Sequence, residues 1–244
     1  MTSGAPAGDH DGIRGDLVSA SRILGHEGIL DAYGHVSARH PGAADRFLLP
    51  RAQAPELVRQ DDVIEFSLSG EPLTPTAQPL YVERYIDAAI YAVRPDVMAV
   101  CHSHTPSILP FSVSMTPLRS VIHTARFIGT GVPVWDLARD FPGEWSPLVR
   151  TLEYGRSLAA ALGGRSMALL RGHGCVVIGR SPQEVVSRCI AMDRNARVQE
   201  VAHRLGDYTP LHQAECEDPR NPGPPLAADN REWEYFRQRS GLLD

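Results

Sequence analysis

Hydrophobic residues recur at helical spacing in several stretches of this chain. From Gly12 to about Leu30 the apolar positions fall every three or four residues, which predicts an amphipathic helix. Pro79 suits the first turn of a second helix, which would run to about Val93. The same reasoning predicts a short helix after 105–107, longer helices at 154–162 and 181–206, and a last short helix at 232–239.

Short apolar runs separated by turn residues predict strands between these helices. The clear runs lie at 35–39, 47–49, 63–68, 97–101, 167–170 and 175–178, whereas 120–128 and 132–134 fit either strand or loop. We therefore predict an α/β fold, a single domain with a mainly antiparallel central β-sheet flanked by helices. The domain would cover 12–210, after a disordered leader at 1–11 and before a C-terminal tail at 211–244 that holds the last short helix.

Composition narrows the possible partners. A formal net charge of -5 argues against nucleic acid or an anionic membrane as partner. No apolar run approaches the roughly 20 residues that a membrane span needs, and the first residues lack the features of a signal peptide. The four cysteines show no CxxC spacing, which indicates reduced thiols. We therefore expect a cytoplasmic protein that acts on a small molecule.

The chain contains no lysine, since all 24 of its basic residues are arginine. Without a side-chain amine it cannot form a Schiff base with a carbonyl substrate. That excludes a pyridoxal-phosphate enzyme of the usual kind, and we expect no NAD either. Chemistry that needs an electron sink must then use a metal ion or a separate cofactor.

Three histidines and one glutamate indicate a metal centre. His102 and His104 lie at the end of a predicted strand, where side chains two residues apart point to the same face. His173 is flanked by two glycines, which allow the backbone to approach a site closely. Glu83 lies on the predicted helix that precedes the histidine pair. Neutral imidazoles suit a divalent transition metal, so we predict one ion per subunit: zinc, manganese, cobalt or iron.

Four motifs in this order resemble the class II aldolase/adducin family. The resemblance covers most of the chain, from about Leu17 to Leu205. Its anchors are Gly34-His35-Val36-Ser37-Ala38-Arg39, Glu83 with Tyr91-Ala92-Val93-Arg94-Pro95-Asp96, His102-Ser103-His104, and Leu170-Arg171-Gly172-His173-Gly174.

The resemblance implies a metal ion held by His102, His104 and His173. It also implies that Glu83 ligates the metal and exchanges protons once substrate displaces it. Members of the family are usually symmetric tetramers with active sites at subunit interfaces. We therefore expect a homotetramer in which part of the 211–244 tail packs at an interface, close to a neighbouring site.

The chain departs from the family's sugar-phosphate aldolases where those enzymes hold the phosphate. His35 replaces an asparagine, Leu49-Pro50-Arg51-Ala52 replaces a Thr-Gly loop, and Tyr81-Val82 replaces a pair of serines. These changes resemble the family's decarboxylase branch, whose members act on hydroxylated aromatic carboxylates. Arg51 would then hold a carboxylate with its planar guanidinium, and Tyr81 would pack on a flat ring.

Three further side chains complete the predicted site. We expect His35 to take part in catalysis and substrate binding, beside Glu83 and Arg51. Ser37 and His123 are candidate substrate contacts. No Ser/His/Asp arrangement at credible spacing supports Ser37 as a nucleophile.

These observations predict a divalent-metal-dependent carbon–carbon lyase. The favoured reaction is decarboxylation of a small hydroxylated aromatic or heteroaromatic acid, in which Glu83 or a histidine protonates the ring carbon. One alternative is aldol cleavage of a non-phosphorylated hydroxy-carbonyl compound. Two others are an Fe(II) oxygenase of the same fold and a non-catalytic, adducin-like binding module.

Overall fold

The structure, a computed structural model, describes residues 8–217 and 231–242. Eight helices occur in these residues: α1 (Gly8–His26), α2 (Arg84–Val93), α3 (Leu109–Val113), α4 (Leu137–Asp140), α5 (Leu152–Leu162), α6 (Pro182–Leu205), α7 (Gln213–Cys216) and α8 (Arg231–Arg239). Three 3₁₀ segments accompany them, at Pro55–Leu57, Gln60–Asp62 and His123–Ile128. None of the described helices is long and apolar enough to cross a bilayer.

Seven strands form one central sheet in the described residues. They are β1 (His35–Arg39), β2 (Arg46–Pro50), β3 (Val63–Ser67), β4 (Ala99–Ser103), β5 (Val134–Trp135), β6 (Met167–Leu170) and β7 (Gly174–Gly179). Their order is β3-β2-β1-β4-β7-β6-β5, and every neighbouring pair is antiparallel except β5 with β6. The predicted fold class is therefore confirmed.

Alternation along the central strands sends side chains into two cores, one on each face of the sheet. Cys101 of β4 belongs to the core that is covered by α1, α6 and α8. Val100 belongs to the opposite core, which is covered by α2 and α5. The same parity places His102 on the α2 face. This is why a residue at the start of α2 can reach it.

Two predicted elements have other boundaries in the structure. Helix α2 begins at Arg84 rather than Pro79, because the Pro79 carbonyl accepts a hydrogen bond from the Ala52 amide at 2.8 Å. Strand β4 runs on to Ser103, because pairing with both β1 and β7 extends it past Cys101.

The two termini also refine the prediction. Residues 1–7 of the expected leader lie outside the described residues, and α1 already begins at Gly8. At the other end, α8 buries Trp233 and Phe236 in the core formed with α1 and α6 of the same chain. Its apolar face is therefore occupied within the subunit, and an interface formed by the tail remains a prediction.

Candidate metal centre

The three histidines converge from strand β4 and from the turn of the β6–β7 hairpin. His102 lies in β4, where it pairs with His35 of β1 and Val176 of β7. His104 follows the end of β4, and His173 lies in the turn between β6 and β7. The close approach depends on Gly174, since a Cβ there would clash with the backbone carbonyl oxygen of Ser103.

Glu83 supplies the fourth ligand from the start of α2. The sequence had placed Glu83 within the helix, but in the structure it is the N-cap residue, just before the first helical residue. Its Oε1 accepts a hydrogen bond from the Val149 amide at 2.8 Å, inside the protein. Its Oε2 lies 3.3 Å from His102 Nε2 and 3.4 Å from His173 Nε2. One carboxylate oxygen is therefore anchored, and the other faces the histidines.

The spacing of the four donors suits a tetrahedral ion. His104 Nε2 lies 3.2 Å from His102 Nε2 and 3.1 Å from His173 Nε2. All four donor atoms lie within 4.8 Å of one another. Ligands about 2.0–2.1 Å from a tetrahedral ion are about 3.3–3.4 Å apart, which is close to the separations of the adjacent donors. The residues present therefore fit a divalent metal ion.

The protonation states of the ligands favour metal binding. Burial disfavours the charged form of Glu83, but the His102 and His173 imidazoles outweigh it and hold the pKa of Glu83 well below its usual range. Burial, assisted by the neighbouring imidazoles, lowers the pKa of His104 to about 4. His102 Nδ1 donates to the Cys175 carbonyl at 3.0 Å, which leaves the Nε2 lone pair for a metal.

His35 lies beside the metal centre and belongs to a buried hydrogen-bond network. Its ring centroid is 5.6 Å from that of His102, and its Nε2 lies 2.7 Å from Asp87 Oδ2. The other Asp87 oxygen accepts the Ser37 hydroxyl at 2.6 Å, and Ser37 Oγ is 2.9 Å from the Tyr91 hydroxyl. Burial opposes a charge on His35, but Asp87 overcomes this and raises the pKa of the imidazole.

The same network corrects the expectation for Ser37. That side chain is fully buried beneath the site and is occupied by Asp87 and Tyr91, so it does not face a substrate. It supports the carboxylate that holds His35. Sequence reasoning missed Asp87, although a carboxylate among the apolar residues of α2, four positions after Glu83, was a signal that could have revealed it.

Tyr81 and Arg51 form the next layer away from the metal centre. The Tyr81 ring centroid is 4.9 Å from that of His35, and its hydroxyl donates to the Gln53 carbonyl at 2.7 Å. Burial raises the pKa of Tyr81 to about 12. Arg51 Nε forms an ion pair with Asp62 Oδ1 at 2.6 Å. Arg51 is two residues before Gln53, the partner of Tyr81, and is already paired with a carboxylate of its own chain.

His123 is not brought into the metal cluster. It lies in the 3₁₀ segment His123–Ile128 and is exposed to solvent. Its role as a substrate contact stays a prediction.

Sequence comparisons connect this site with known proteins. The model of the class II aldolase and adducin N-terminal domain matches residues 15–200. The chain is 34% identical over 201 residues to decarboxylase tropJ of Talaromyces stipitatus, an alignment that covers 78% of this chain and 76% of that protein. It is 27% identical over 234 residues to 3,4-dihydroxyphthalate decarboxylase of Arthrobacter keyseri, covering 86% and 88% of the two chains.

A solved structure gives the same fold. L-fuculose 1-phosphate aldolase from Glaciozyma antarctica PI12 superimposes with a TM-score of 0.78, covering 100% of this chain and 94% of that one. The sequence identity is 22%, so this likeness shows the shared architecture and not a shared substrate.

Proposed function

This chain belongs to the class II aldolase and adducin family, and from that premise we propose that it is a metal-dependent carboxy-lyase. The proposed substrate is a small hydroxylated aromatic or heteroaromatic carboxylic acid. The relatives that carry this proposal are named decarboxylases, and the alignments cover three quarters or more of each protein.

The observation that carries the proposal is the convergence of four donor atoms, Glu83 Oε2 and the Nε2 atoms of the three histidines, within 4.8 Å of one another. A divalent ion bound there would supply a Lewis acid that stabilises the negative charge left when a carbon–carbon bond breaks. Zinc, manganese, cobalt and iron all accept such a ligand set, and metal analysis distinguishes them.

The surrounding side chains bind the acid and supply the proton. Glu83 and His35 are the two candidate donors to the ring carbon that loses CO2. His35 lies directly beside His102, and Asp87 raises its pKa. Glu83 Oε2 faces the cluster as a carboxylate, so it would first have to take up a proton from a substrate hydroxyl. Tyr81 packs on the flat ring next to His35. Arg51 binds a carboxylate with its Nη nitrogens while Nε remains paired with Asp62.

The decisive experiment is a product assay. Purified protein loaded in turn with Mn²⁺, Zn²⁺, Fe²⁺ or Co²⁺ is mixed with a panel of hydroxybenzoic and hydroxypyridine carboxylic acids and of hydroxy-ketones. CO2 release from an acid is expected with at least one metal. An aldehyde product would instead identify an aldolase, and oxygen consumption an oxygenase. Protein that binds no metal would indicate a non-catalytic module.

A matched pair of variants tests the site itself. His104→Ala removes one proposed ligand and should abolish turnover and metal retention. His26→Ala removes an exposed histidine at the end of α1 and should leave both unchanged. Turnover that survives His104→Ala would contradict the proposed centre.

We also propose a homotetramer with active sites at subunit interfaces. Light scattering of the purified protein should give four times the 26.7 kDa mass of the chain. Location in the cytoplasm stays a prediction.

A further inference from the structure

The loop between α4 and α5 presents an exposed tryptophan near the metal centre. Trp145 leaves 83% of its surface in solvent, whereas Trp135 and Trp233 are buried. Tryptophan is on average a highly buried residue, because its indole has a large apolar surface. An indole this exposed, next to a candidate active site, indicates a contact that forms when a ligand binds.

Hydrogen bonds hold this loop in place and join it to a metal ligand. Glu144 Oε2 accepts hydrogen bonds from Arg150 Nη2 at 2.6 Å and from the Tyr154 hydroxyl at 2.9 Å. Further along the loop, the Val149 amide donates to Glu83 Oε1 at 2.8 Å. The position of the indole is therefore set relative to the metal centre and not left to a free loop.

A small cavity lies between this loop and His173. Trp145, Glu144, Asp136, Arg171 and His173 are among the residues that line it, and its volume is about 50 Å³. Since about 10–15 Å³ of such space holds one water molecule, the cavity has room for a few water molecules or for one small group such as a carboxylate. A larger ligand would leave the rest of its body outside, against the exposed indole.

Arg171 supplies the positive charge in this cavity. Its Nε is paired with Asp136 Oδ2 at 2.6 Å, and half of its side chain is exposed. The other Asp136 oxygen accepts the Ala138 amide, and the second carboxylate of the cavity, Glu144, is paired with Arg150. Glu144 is therefore paired with Arg150, and Asp136 is paired with Nε of Arg171 itself. The two Nη nitrogens of Arg171 are the groups that suit a planar anion.

We propose that Trp145 and Arg171 form a subsite for an aromatic carboxylate. The Arg171 guanidinium binds a carboxylate that is not lost in the reaction, and the indole stacks on the ring that carries it. The inference rests on the proposed function and narrows its substrate class to aromatic acids with a second carboxylate. It also assigns the retained carboxylate to Arg171, which leaves Arg51, near Tyr81 and His35, for the carboxylate that is lost.

Phthalate and its saturated counterpart test the subsite by binding alone. Both probes carry two adjacent carboxylates, but only phthalate has a flat ring, so cis-cyclohexane-1,2-dicarboxylate controls for charge. In the zinc-loaded protein, iodide should quench chiefly Trp145, because the other two tryptophans are buried. Phthalate should protect this fluorescence from iodide and should bind at least about tenfold more tightly than the saturated probe by calorimetry.

Variants then assign the two contacts. Trp145→Ala should weaken phthalate binding about tenfold, and Trp145→Phe should restore most of it because a ring remains. Arg171→Gln should weaken both probes about tenfold, since it removes the charge that they share. Leu205→Ala is the control for Trp145, because 84% of that leucine is exposed. Arg204→Gln removes an exposed arginine at the end of α6. Both variants should bind phthalate as the wild type does.

Equal binding of the two probes, or unchanged phthalate binding in Trp145→Ala, would overturn the subsite. So would an indole that is already protected from iodide without ligand, because it would then lie between subunits. These results are separable from the product assay. If the protein releases CO2 and Trp145→Ala binds phthalate as the wild type does, only the subsite is refuted. If binding depends on the ring but no CO2 is released, only the decarboxylase proposal is refuted.

Discussion

Asp87 holds together the buried hydrogen-bond network beside the metal centre. Its carboxylate is fully buried and accepts hydrogen bonds from His35 and Ser37, which come from the strand next to β4. A buried carboxylate with two such donors holds the neighbouring imidazole in one orientation. Its removal would leave His35 Nε2 without its acceptor and Ser37 with the Tyr91 hydroxyl alone.

We therefore expect Asp87→Ala to lower the free energy of unfolding by roughly 3 kcal/mol, because two buried donors lose their acceptor. Urea unfolding followed by circular dichroism measures this. Asp193→Ala provides the control, since it removes only an i,i+4 ion pair with the exposed Arg197 and should cost less than about 0.5 kcal/mol. A similar small loss in both variants would show that the Asp87 network contributes little.

Gly174 has no room for a Cβ atom beside the Ser103 backbone. A methyl group there would meet the Ser103 carbonyl, so Gly174→Ala should cost about 2 kcal/mol or more and displace the turn that carries His173. Zinc affinity should fall with it. Gly164→Ala is the control, because nothing lies within 4 Å of its added Cβ. Melting temperature and zinc titration of the two variants check the prediction.

Among single residues, the sequence predicted those whose position follows from their neighbours in the chain. The ligands His102, His104 and His173 followed from strand alternation, from the flanking glycines and from the family motif. The partners that orient the site did not, because they are distant in the chain. Val149 is 66 residues from Glu83, and Asp87 is 52 residues from His35.

Among the elements, the start of α2 and the 141–151 loop are joined by a hydrogen bond to Glu83. Glu83 is the N-cap residue of α2, so its side chain is placed by the helix start and by the Val149 amide together. The sequence placed Glu83 inside a helix from Pro79. The Ala52–Pro79 hydrogen bond that prevents this joins segments that no local pattern connects.

Removal of the Val149 amide should make the Glu83 carboxylate less firmly positioned, although none of the four proposed ligands is substituted. Val149→Pro deletes the N–H. Val149→Ala is the control, because it keeps the N–H but also replaces the buried valine side chain with a smaller one. We expect zinc affinity to fall about 10-fold to 100-fold in the proline variant relative to the alanine variant, as for other hydrogen bonds to metal ligands. Competition with a fluorescent chelator measures it. Equal affinities would show that the amide does not position Glu83.

For the molecule as a whole, sheet order explains why ligands distant in sequence meet. Strands β1, β4 and β7 are neighbours at the centre of the sheet. The C-terminal ends of β4 and β6 lie on either side of β7 and carry the histidines to the start of α2. The fold class was predictable because strand and helix patterns were clear and the family motifs fixed their order. The packing of α8 was not, since its apolar face suits its own chain and a neighbour equally well.

An ion held by the four donors would link β4 and the β6–β7 turn to the start of α2, so metal removal should lower the stability of the whole domain. Binding to the folded state alone stabilises by about 4 kcal/mol when the free ion exceeds its dissociation constant a thousandfold. We expect EDTA to lower the melting temperature by several degrees and added Zn²⁺ to restore it. His104→Ala should show little response to either, whereas His26→Ala should respond as the wild type does. A wild-type melting curve that EDTA leaves unchanged would mean that the four donors converge without binding an ion.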